Sequence, residues 1–289
     1  MSQLLYSTVN HFTNFWRKKV KRIVTVLFCT LAVAGMFIAC QKKDVAAGDD
    51  SLQSILDKKV LIMGLDDSFP PMGFRNEHNE IVGYDVDLAK EVAGRMGVEL
   101  VLQPIDWAAK EQELNTKQID CIWNGFTITE ERKQNVRFTP PYLRNAQVIV
   151  VKDNSPVNTM ADLAGKTAGT QAGSSSIEAI DGAPEFKASL RGVVEYKDFL
   201  TALMDLDVGG IDAVVIDLVV ANDNINRSGK AFRILEDRLD EEEFGIGFRK
   251  SDAALCGRVW AVLNDMVKDG TVARITSEWM GADISIIGK

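Results

Sequence analysis

The sequence predicts an α/β protein with two similar lobes. From Leu61 onward, short apolar strands alternate with helical segments, a pattern typical of a sheet covered by helices. The second half repeats an arrangement of the first, because a helix and a turn lead into the strand at 119–123 and again into the strand at 211–217. This internal repeat predicts two lobes of related architecture.

Apolar periodicity assigns the elements in chain order. Apolar residues repeat at helical spacing from Val86 to Met96, and Gly97 directly after them is a common helix C-cap. The apolar run at 147–151 is a strand that carries the chain from one lobe to the other. The other predicted elements are strands at 60–64, 99–102, 166–170 and 244–250, and helices at 108–117, 198–206, 252–268 and 270–280.

The residues after the strand at 119–123 form a candidate anion site. The run Asn124-Gly125-Phe126-Thr127 leads into a predicted helix with Arg132 one turn inside it. Free N–H groups at a helix N-terminus favour an anion, and a guanidinium grips a carboxylate through two parallel hydrogen bonds. A surface helix capped by Thr129, with Arg132 paired to a glutamate, explains the same residues.

A glycine loop forms a second candidate site for an anion or a carbonyl group. Gly173-Ser174-Ser175-Ser176 follows the strand at 166–170 and begins a helix. An ordinary loop with a serine cap is the alternative. The sequence lacks the Walker-type Gly-Lys-Ser/Thr at this point, which disfavours nucleotide binding.

The N-terminus predicts export. Residues 1–39 contain five basic residues and no acidic one, and they end in an apolar stretch from Ile23 to Ala39. The following Cys40 and the abruptly polar residues after it resemble a bacterial lipobox, which implies a lipoprotein signal peptide over 1–39, palmitate on Cys40 and a tether over 40–50. An uncleaved signal anchor and an ordinary secretory signal are the alternatives.

Composition excludes several functional classes. Cleavage before Cys40 removes five positive charges, so the net charge falls from −8 to −13, which argues against binding nucleic acid. Cys121 and Cys256 lie in apolar elements and are expected to be buried core residues rather than a disulfide. The mature chain retains one histidine, His78, so we expect no zinc site, no Ser–His–Asp triad and no cofactor.

Seven segments follow one another along about residues 57–281 and carry a resemblance to a known family. They are Phe69-Pro70-Pro71-Met72-Gly73-Phe74, Gly83-Tyr84-Asp85-Val86-Asp87-Leu88-Ala89, Asp106-Trp107, Thr127-Ile128-Thr129-Glu130-Glu131-Arg132, Phe138-Thr139-Pro140-Pro141-Tyr142, Gly173-Ser174-Ser175 and Ile211-Asp212-Ala213-Val214-Val215. Taken in this order, the segments resemble the bacterial extracellular solute-binding proteins for amino acids, which are the receptors of ABC-type importers.

The resemblance implies a type II periplasmic-binding-protein-like fold, in which two hinge strands join the lobes and the ligand lies in the cleft between them. The first lobe is then expected over 51–144 and 244–289, and the second over 145–243. The implied ligands of the α-carboxylate are Arg132, Thr127, Ser174 and Ser175, and those of the α-ammonium are Asp217, Thr127 and the backbone at Asn124 and Gly125.

Elementary electrostatics agrees with these assignments. A zwitterion in a cleft loses hydration at both charged ends, so each end needs a fixed counter-charge, and Arg132 and Asp217 provide one from each lobe. The resemblance also implies that Phe69 and Trp107 sandwich the ligand side chain and that Asp66 contacts its polar end.

The roles of Asp66, Asp67 and Trp123 leave alternatives open. The adjacent Asp66 and Asp67 favour a cationic side chain, but Asp66 is equally able to accept from an amide while Asp67 is only solvated. Trp123 fits the core better than the pocket.

The expected function is high-affinity extracytoplasmic binding of a polar or cationic amino acid. The protein is expected to be a monomer that is lipid-anchored to the cell membrane and delivers its ligand to an ABC permease and its ATPase. One alternative is a dehydratase- or lyase-like enzyme on the same fold, with Asp66, Asp67 or Asp217 as the base acting on a small carboxylate. A sensory module is disfavoured, because no membrane helix or signalling domain is seen before Lys289.

Overall fold

The computed structural model describes residues 48–289. The predicted signal peptide over 1–39 and the predicted lipidation site Cys40 lie outside this range. In the range that is described, none of the helices is both long enough and apolar enough to cross a bilayer.

The first lobe is built on a five-stranded sheet in which parallel and antiparallel pairs meet. Its strands are β1 (Val60–Leu65), β5 (Glu99–Pro104), β6 (Cys121–Ile122), β7 (Val136–Phe138) and β13 (Gly247–Arg249), in the order β5-β1-β6-β13-β7. β1 runs parallel to β5 and β6, whereas β13 runs antiparallel to β6 and β7. A small antiparallel sheet follows β1 and consists of β2 (Ser68–Phe69), β3 (Gly73–Arg75) and β4 (Ile81–Val82).

The second lobe has a five-stranded sheet of its own. Its strands are β8 (Leu143–Lys152), β9 (Thr167–Gln171), β10 (Gly192–Tyr196), β11 (Ala213–Asp217) and β12 (Phe232–Phe244), in the order β10-β9-β11-β8-β12. β9 pairs in parallel with β10 and β11, while β8 is antiparallel to both β11 and β12. The prediction of an α/β protein with two lobes is therefore confirmed.

Helices cover both sheets. They are α1 (Ser51–Lys58), α2 (Tyr84–Met96), α3 (Lys110–Asn115), α4 (Arg132–Asn135), α5 (Ser175–Gly182), α6 (Pro184–Ser189), α7 (Phe199–Val208), α8 (Leu218–Ser228), α9 (Ala253–Lys268) and α10 (Thr271–Met280), with 3₁₀ turns at Trp107–Ala109 and Met160–Leu163. The predicted C-cap of α2 is confirmed, because Gly97 has a φ of 70° and its N–H donates to carbonyls of the last turn.

The chain crosses between the lobes along two neighbouring strands. It enters the second sheet through β8 and returns at the end of β12, where Phe244 pairs with Leu143. Thr127 of the first lobe forms an isolated bridge with the same Phe244. The connecting segments therefore lie directly beside the residues that follow β6.

Three buried residues agree with the sequence analysis. Cys121 and Cys256 are free thiols in the core, as expected. Trp123 is fully buried and its ring centroid lies 6.5 Å from that of Tyr142, so it is a core residue.

β10 and most of β12 were not predicted from the sequence. β12 carries the acidic run from Asp240 to Glu243, and acidic residues have low strand propensity. This segment is extended because it pairs with β8 along nearly its whole length. Long-range pairing here overrides local propensity.

Candidate functional site

Two strands, one from each lobe, end at the same cleft. β6 leads directly into Asn124 and Thr127, and β11 ends in Asp217. The cleft closes where the Thr127 hydroxyl lies 3.0 Å from the hydroxyl of Ser175, the first residue of α5. Residues that are far apart in the sequence thus meet at the carboxyl ends of strands, the usual ligand edge of such sheets.

Arg132 is held between the two lobes. Its side chain is only 5% exposed, and its Nη1 donates to the Thr127 carbonyl at 3.0 Å. Its Nη2 donates to the carbonyl of Gly173 in the second lobe at 3.3 Å. The guanidinium carbon also lies 4.8 Å from the ring centroid of Phe126. Burial lowers the pKa of Arg132, an effect that the carboxylate of Glu178 at 3.7 Å opposes.

The local structure around Arg132 differs from the predicted helix. α4 is a single turn that begins at Arg132, so the arginine is its first residue rather than one turn inside it. The Thr129 hydroxyl accepts from the Arg132 N–H at 3.2 Å, as the capped-helix alternative foresaw. Because a one-turn helix has little aligned dipole, the guanidinium rather than the helix terminus is the group of this segment that is suited to an anion.

The serine loop approaches the first lobe closely. Ser174 precedes α5 and its hydroxyl donates to the Gln171 carbonyl at 2.7 Å. Gly173 has a φ of +70°, and a Cβ at this position would lie 2.9 Å from the Cα of Ala108. Glycine is therefore required for the loop to come this near, and the approach brings the Gly173 carbonyl to Arg132 and the Ser175 hydroxyl to Thr127.

Asp217 is the buried acid of the second lobe. It is 3% exposed, and its Oδ1 accepts from Asn145 Nδ2 at 2.7 Å and from Gln147 Nε2 at 3.1 Å. Burial raises the pKa of Asp217 well above its ordinary value, and the nearby charge of Glu242 raises it further. A cation placed beside Asp217 would therefore stabilise its ionised form.

Asn124 and Gly125 shape the first-lobe wall of the cleft. The Asn124 Oδ1 accepts from the backbone N–H of Asp66 at 3.0 Å, so this side chain braces the loop after β1. The N–H of Gly125 donates to Asp85 Oδ2 at 2.7 Å. Gly125 has a φ of +55°, and a Cβ there would lie 2.7 Å from the Phe69 ring. The side-chain oxygen of Asn124 and the Gly125 N–H therefore both form hydrogen bonds within the first lobe.

The two predicted aromatic residues have different partners. Phe69 packs against Phe199 of the second lobe, with ring centroids 5.9 Å apart. Trp107 packs edge-on against Phe126 at 5.7 Å, and the Nζ of Lys110 lies 5.2 Å from its ring centroid. Both aromatic rings are buried, and Phe69 contacts the opposite lobe.

Asp66 borders a cavity of 260 Å³ at the cleft. Its Oδ2 accepts from Gln171 Nε2 of the second lobe at 2.7 Å, and its Oδ1 accepts from the Ser68 N–H at 2.9 Å. Burial raises the pKa of Asp66 to about 6. The cavity is acidic, since its charged side chains are Asp66, Asp67, Asp106, Asp198 and Lys197. Asp67 itself is paired with Arg75 at 2.6 Å and is not merely solvated.

Several residues of the site were missed in the sequence. Asn145 and Gln147 are alternate polar residues in the apolar strand β8, and this period-2 pattern places them on one face. Lys110 is buried, and its Nζ donates to the Trp107 carbonyl at 3.1 Å and to the Gly173 carbonyl at 2.8 Å. Burial lowers the pKa of Lys110 to about 7. Glu242 is the fourth site residue that was missed, because nothing in the sequence distinguishes it from the acidic residues beside it.

Comparison with known proteins identifies relatives of matching length. The chain is 30% identical over 243 residues to the L-cystine-binding protein TcyJ of Escherichia coli (strain K12), which covers 83% of this chain and 89% of the relative. Two solved structures each superpose with a TM-score of 0.80: Tv2483 bound to L-arginine, at 34% identity, and a Streptococcus pneumoniae ABC uptake transporter substrate-binding protein with bound histidine, at 36%. They cover 84% and 83% of this chain, and 99% of each solved chain is matched.

The family model of the bacterial extracellular solute-binding proteins, family 3, matches residues 61–282. This span contains both sheets and the whole of the cleft described above. The chain belongs to the bacterial extracellular solute-binding proteins, family 3.

Proposed function

We propose that this protein binds a polar or cationic amino acid outside the cytoplasm and delivers it to an ABC importer. One observation carries the proposal: a buried arginine in the first lobe and a buried aspartate in the second are linked through the same three residues. The Thr127 carbonyl accepts from Arg132, and the Thr127 hydroxyl lies 3.0 Å from the Ser175 hydroxyl. Gln147 Nε2 donates to both the Ser175 hydroxyl and Asp217 Oδ1. Opposite charges so arranged match the two ends of a zwitterion.

Each end of the ligand has defined partners under this proposal. Arg132 pairs with the α-carboxylate, and the hydroxyls of Thr127, Ser174 and Ser175 complete its surroundings. Asp217 accepts from the α-ammonium. Because the two charges belong to different lobes, a ligand that contacts both binds the closed form more tightly than an open one and shifts the equilibrium towards closure.

The acidic cavity beside Asp66 supports a cationic or polar side chain. Asp66 is 105 residues from Gln171 in sequence, yet the two are hydrogen-bonded across the cleft, so a ligand at Asp66 also touches both lobes. The aromatic rings of Phe69 and Trp107 provide apolar walls for the aliphatic part of the side chain. The named ligands of the relatives, which are cystine, arginine and histidine, agree with this chemical class.

Isothermal titration calorimetry against all proteinogenic amino acids and cystine tests the proposal. We expect saturable binding of at least one polar or cationic member, with markedly weaker binding by the Asp217→Asn variant. The same mixtures are analysed for products by mass spectrometry. Consumption of the ligand with formation of a new product would favour the enzyme alternative, and the absence of binding across the panel would refute the function.

The anchor and the partner complete the proposal. We expect Cys40 to carry the lipid that holds the protein at the outer face of the cell membrane, near its permease and ATPase. Metabolic labelling with a palmitate analogue tests the anchor against the Cys40→Ala variant. Equal membrane retention of both proteins without label would refute lipid anchoring and leave ligand binding unaffected.

A further inference from the structure

Strand pairing brings one glutamate of the acidic run into the binding site. β12 has register shifts against β8 between Ile234 and Asp240, and after them Glu242 lies opposite Asn145. Successive strand residues face opposite sides, so Glu242 is half-buried while Glu241 and Glu243 on either side of it are exposed.

Glu242 shares its hydrogen-bond donors with Asp217. Its Oε1 accepts from Asn145 Nδ2 at 2.5 Å and from Gln147 Nε2 at 2.8 Å. The same two nitrogen atoms donate to Asp217 Oδ1 at 2.7 Å and 3.1 Å. The Thr127 hydroxyl, which lies at the proposed ammonium site, also donates to Glu242 Oε1 at 3.1 Å. Two carboxyl groups therefore converge on the place that the ligand ammonium would occupy.

The charges around this pair do not neutralise it. Within residues 48–289, neither Asp217 nor Glu242 forms an ion pair with a lysine or arginine. The buried Arg132 donates to the carbonyls of Thr127 and Gly173, and its charged partner is Glu178 of α5 at 3.7 Å. The adjoining cavity is lined by Lys133 and Arg144, and by the acids Glu130, Asp240, Glu241 and Glu243.

The negative charge of Glu242 disfavours ionisation of Asp217, because the two carboxyl groups accept from the same two nitrogen atoms. Burial and this charge both raise the pKa of Asp217. A cation placed between the two groups offsets the charge of Glu242 and favours the ionised form of Asp217.

We propose that Glu242 is a second acceptor for the α-ammonium group of the bound amino acid, and that its charge helps Asp217 to retain a proton which the incoming ammonium displaces to solvent. This pairing acts only if the chain binds amino acids, so the inference rests on the proposed function. Binding then releases up to one proton, and affinity rises with pH by up to about tenfold per unit until Asp217 of the free protein is fully ionised.

Calorimetry with L-arginine in buffers of different ionisation enthalpy counts this proton. Arginine is suitable because its carboxyl, ammonium and guanidinium groups all remain charged near pH 6. We expect proton release by the parent protein near pH 6 and a smaller release by Glu242→Gln, which keeps the side-chain volume and an acceptor oxygen but removes the charge beside the buried Asp217. Glu243→Gln, exposed and next along the strand, is the matched control and should behave like the parent. Any release from Asp66 is common to all three proteins and cancels in the comparison.

A second pair of variants tests the acceptor role itself. Asp217→Asn should retain weak arginine binding, because Glu242 still accepts from the ammonium. The double variant Asp217→Asn with Glu242→Gln should lose a further tenfold or more, on the order expected for a charged acceptor.

The outcomes separate this inference from the proposed function. Arginine binding by the parent with no dependence on buffer between about pH 5 and 8 overturns the inference alone. Equal proton release by the parent and Glu242→Gln overturns it too. If the parent binds no amino acid of the panel, the proposed function fails and the inference fails with it.

Discussion

Replacing Arg132 with alanine should weaken amino-acid binding more than any other single change in the first lobe. The guanidinium is almost completely buried and is fixed by the Thr127 and Gly173 carbonyls and by the Phe126 ring. Alanine removes the counter-charge of the ligand carboxylate while leaving that carboxylate inside the closed cleft. The loss therefore includes the cost of an unpaired buried charge.

The contacts of Arg132 set the size of the effect. Truncating one partner of a buried charge pair costs about 2–5 kcal/mol. Burial of the side chain favours the upper part of this range, because little water can replace the guanidinium. Lys110 reduces the expected loss of binding free energy, because its Nζ donates to the same Gly173 carbonyl at 2.8 Å and is a second basic group near the site. We expect roughly 3–4 kcal/mol, or about 150- to 900-fold in Kd.

Isothermal titration calorimetry with the tightest amino acid of the panel measures this loss. Arg132→Lys keeps the charge but not the two-pronged geometry, so its loss should be smaller. Arg137→Ala is the matched control, because this arginine is exposed on β7 and donates only to the Lys250 carbonyl. Circular dichroism confirms that each variant is folded. Folded Arg132→Ala that binds within about threefold of the parent would refute the assignment of the carboxylate site.

Three further predictions follow from the same cleft. Gly125→Ala should lower the free energy of unfolding by about 1–3 kcal/mol, because a φ of +55° is strained for alanine and the new Cβ would meet the Phe69 ring. Urea denaturation measures this, and an unchanged midpoint would contradict the prediction. Asp66 must be ionised to pair with a cationic side chain, and burial raises its pKa to about 6, so the affinity ratio of arginine to citrulline should fall as pH drops from about 7 to 5. In Asp66→Asn the affinity ratio of arginine to citrulline should be low and independent of pH. Calorimetry at several pH values measures this ratio, and a ratio that still changes with pH in Asp66→Asn would contradict the prediction. Lys110→Met removes the hydrogen bond to the Gly173 carbonyl across the cleft and should weaken ligand binding by about 1–3 kcal/mol in the same assay, whereas unchanged affinity would show that this bond does not stabilise the closed form.

Much of the fold was predictable because its signals are local. The apolar period of α2 and the left-handed Gly97 after it concern residues within a few positions of each other. The same holds for α7, where Asp198 accepts from the Thr201 N–H at 2.7 Å and Gly209 ends the helix. The predicted bounds of these two helices agree with those in the structure to within one or two residues.

The site was predictable only in part, because its contacts join distant residues. Arg132 was singled out by its family segment, but its position as the first residue of a one-turn helix and its bond to Gly173 come from the meeting of the two lobes. Gln147 was visible only as a polar residue within an apolar strand. Its simultaneous hydrogen bonds to Ser175 and Asp217 depend on three separate segments.

The sequence by itself determined the α/β class, the two-lobe organisation and the candidate charges Arg132 and Asp217. Periodicity, caps and turns act over a few residues, and they can be read along the chain. Tertiary structure alone decided which acid of the run 240–243 faces the cleft, because a register shift in β12 sets that orientation. It also decided how far burial raises the pKa of Asp217 and Asp66, since desolvation depends on what the two lobes place around a carboxyl group.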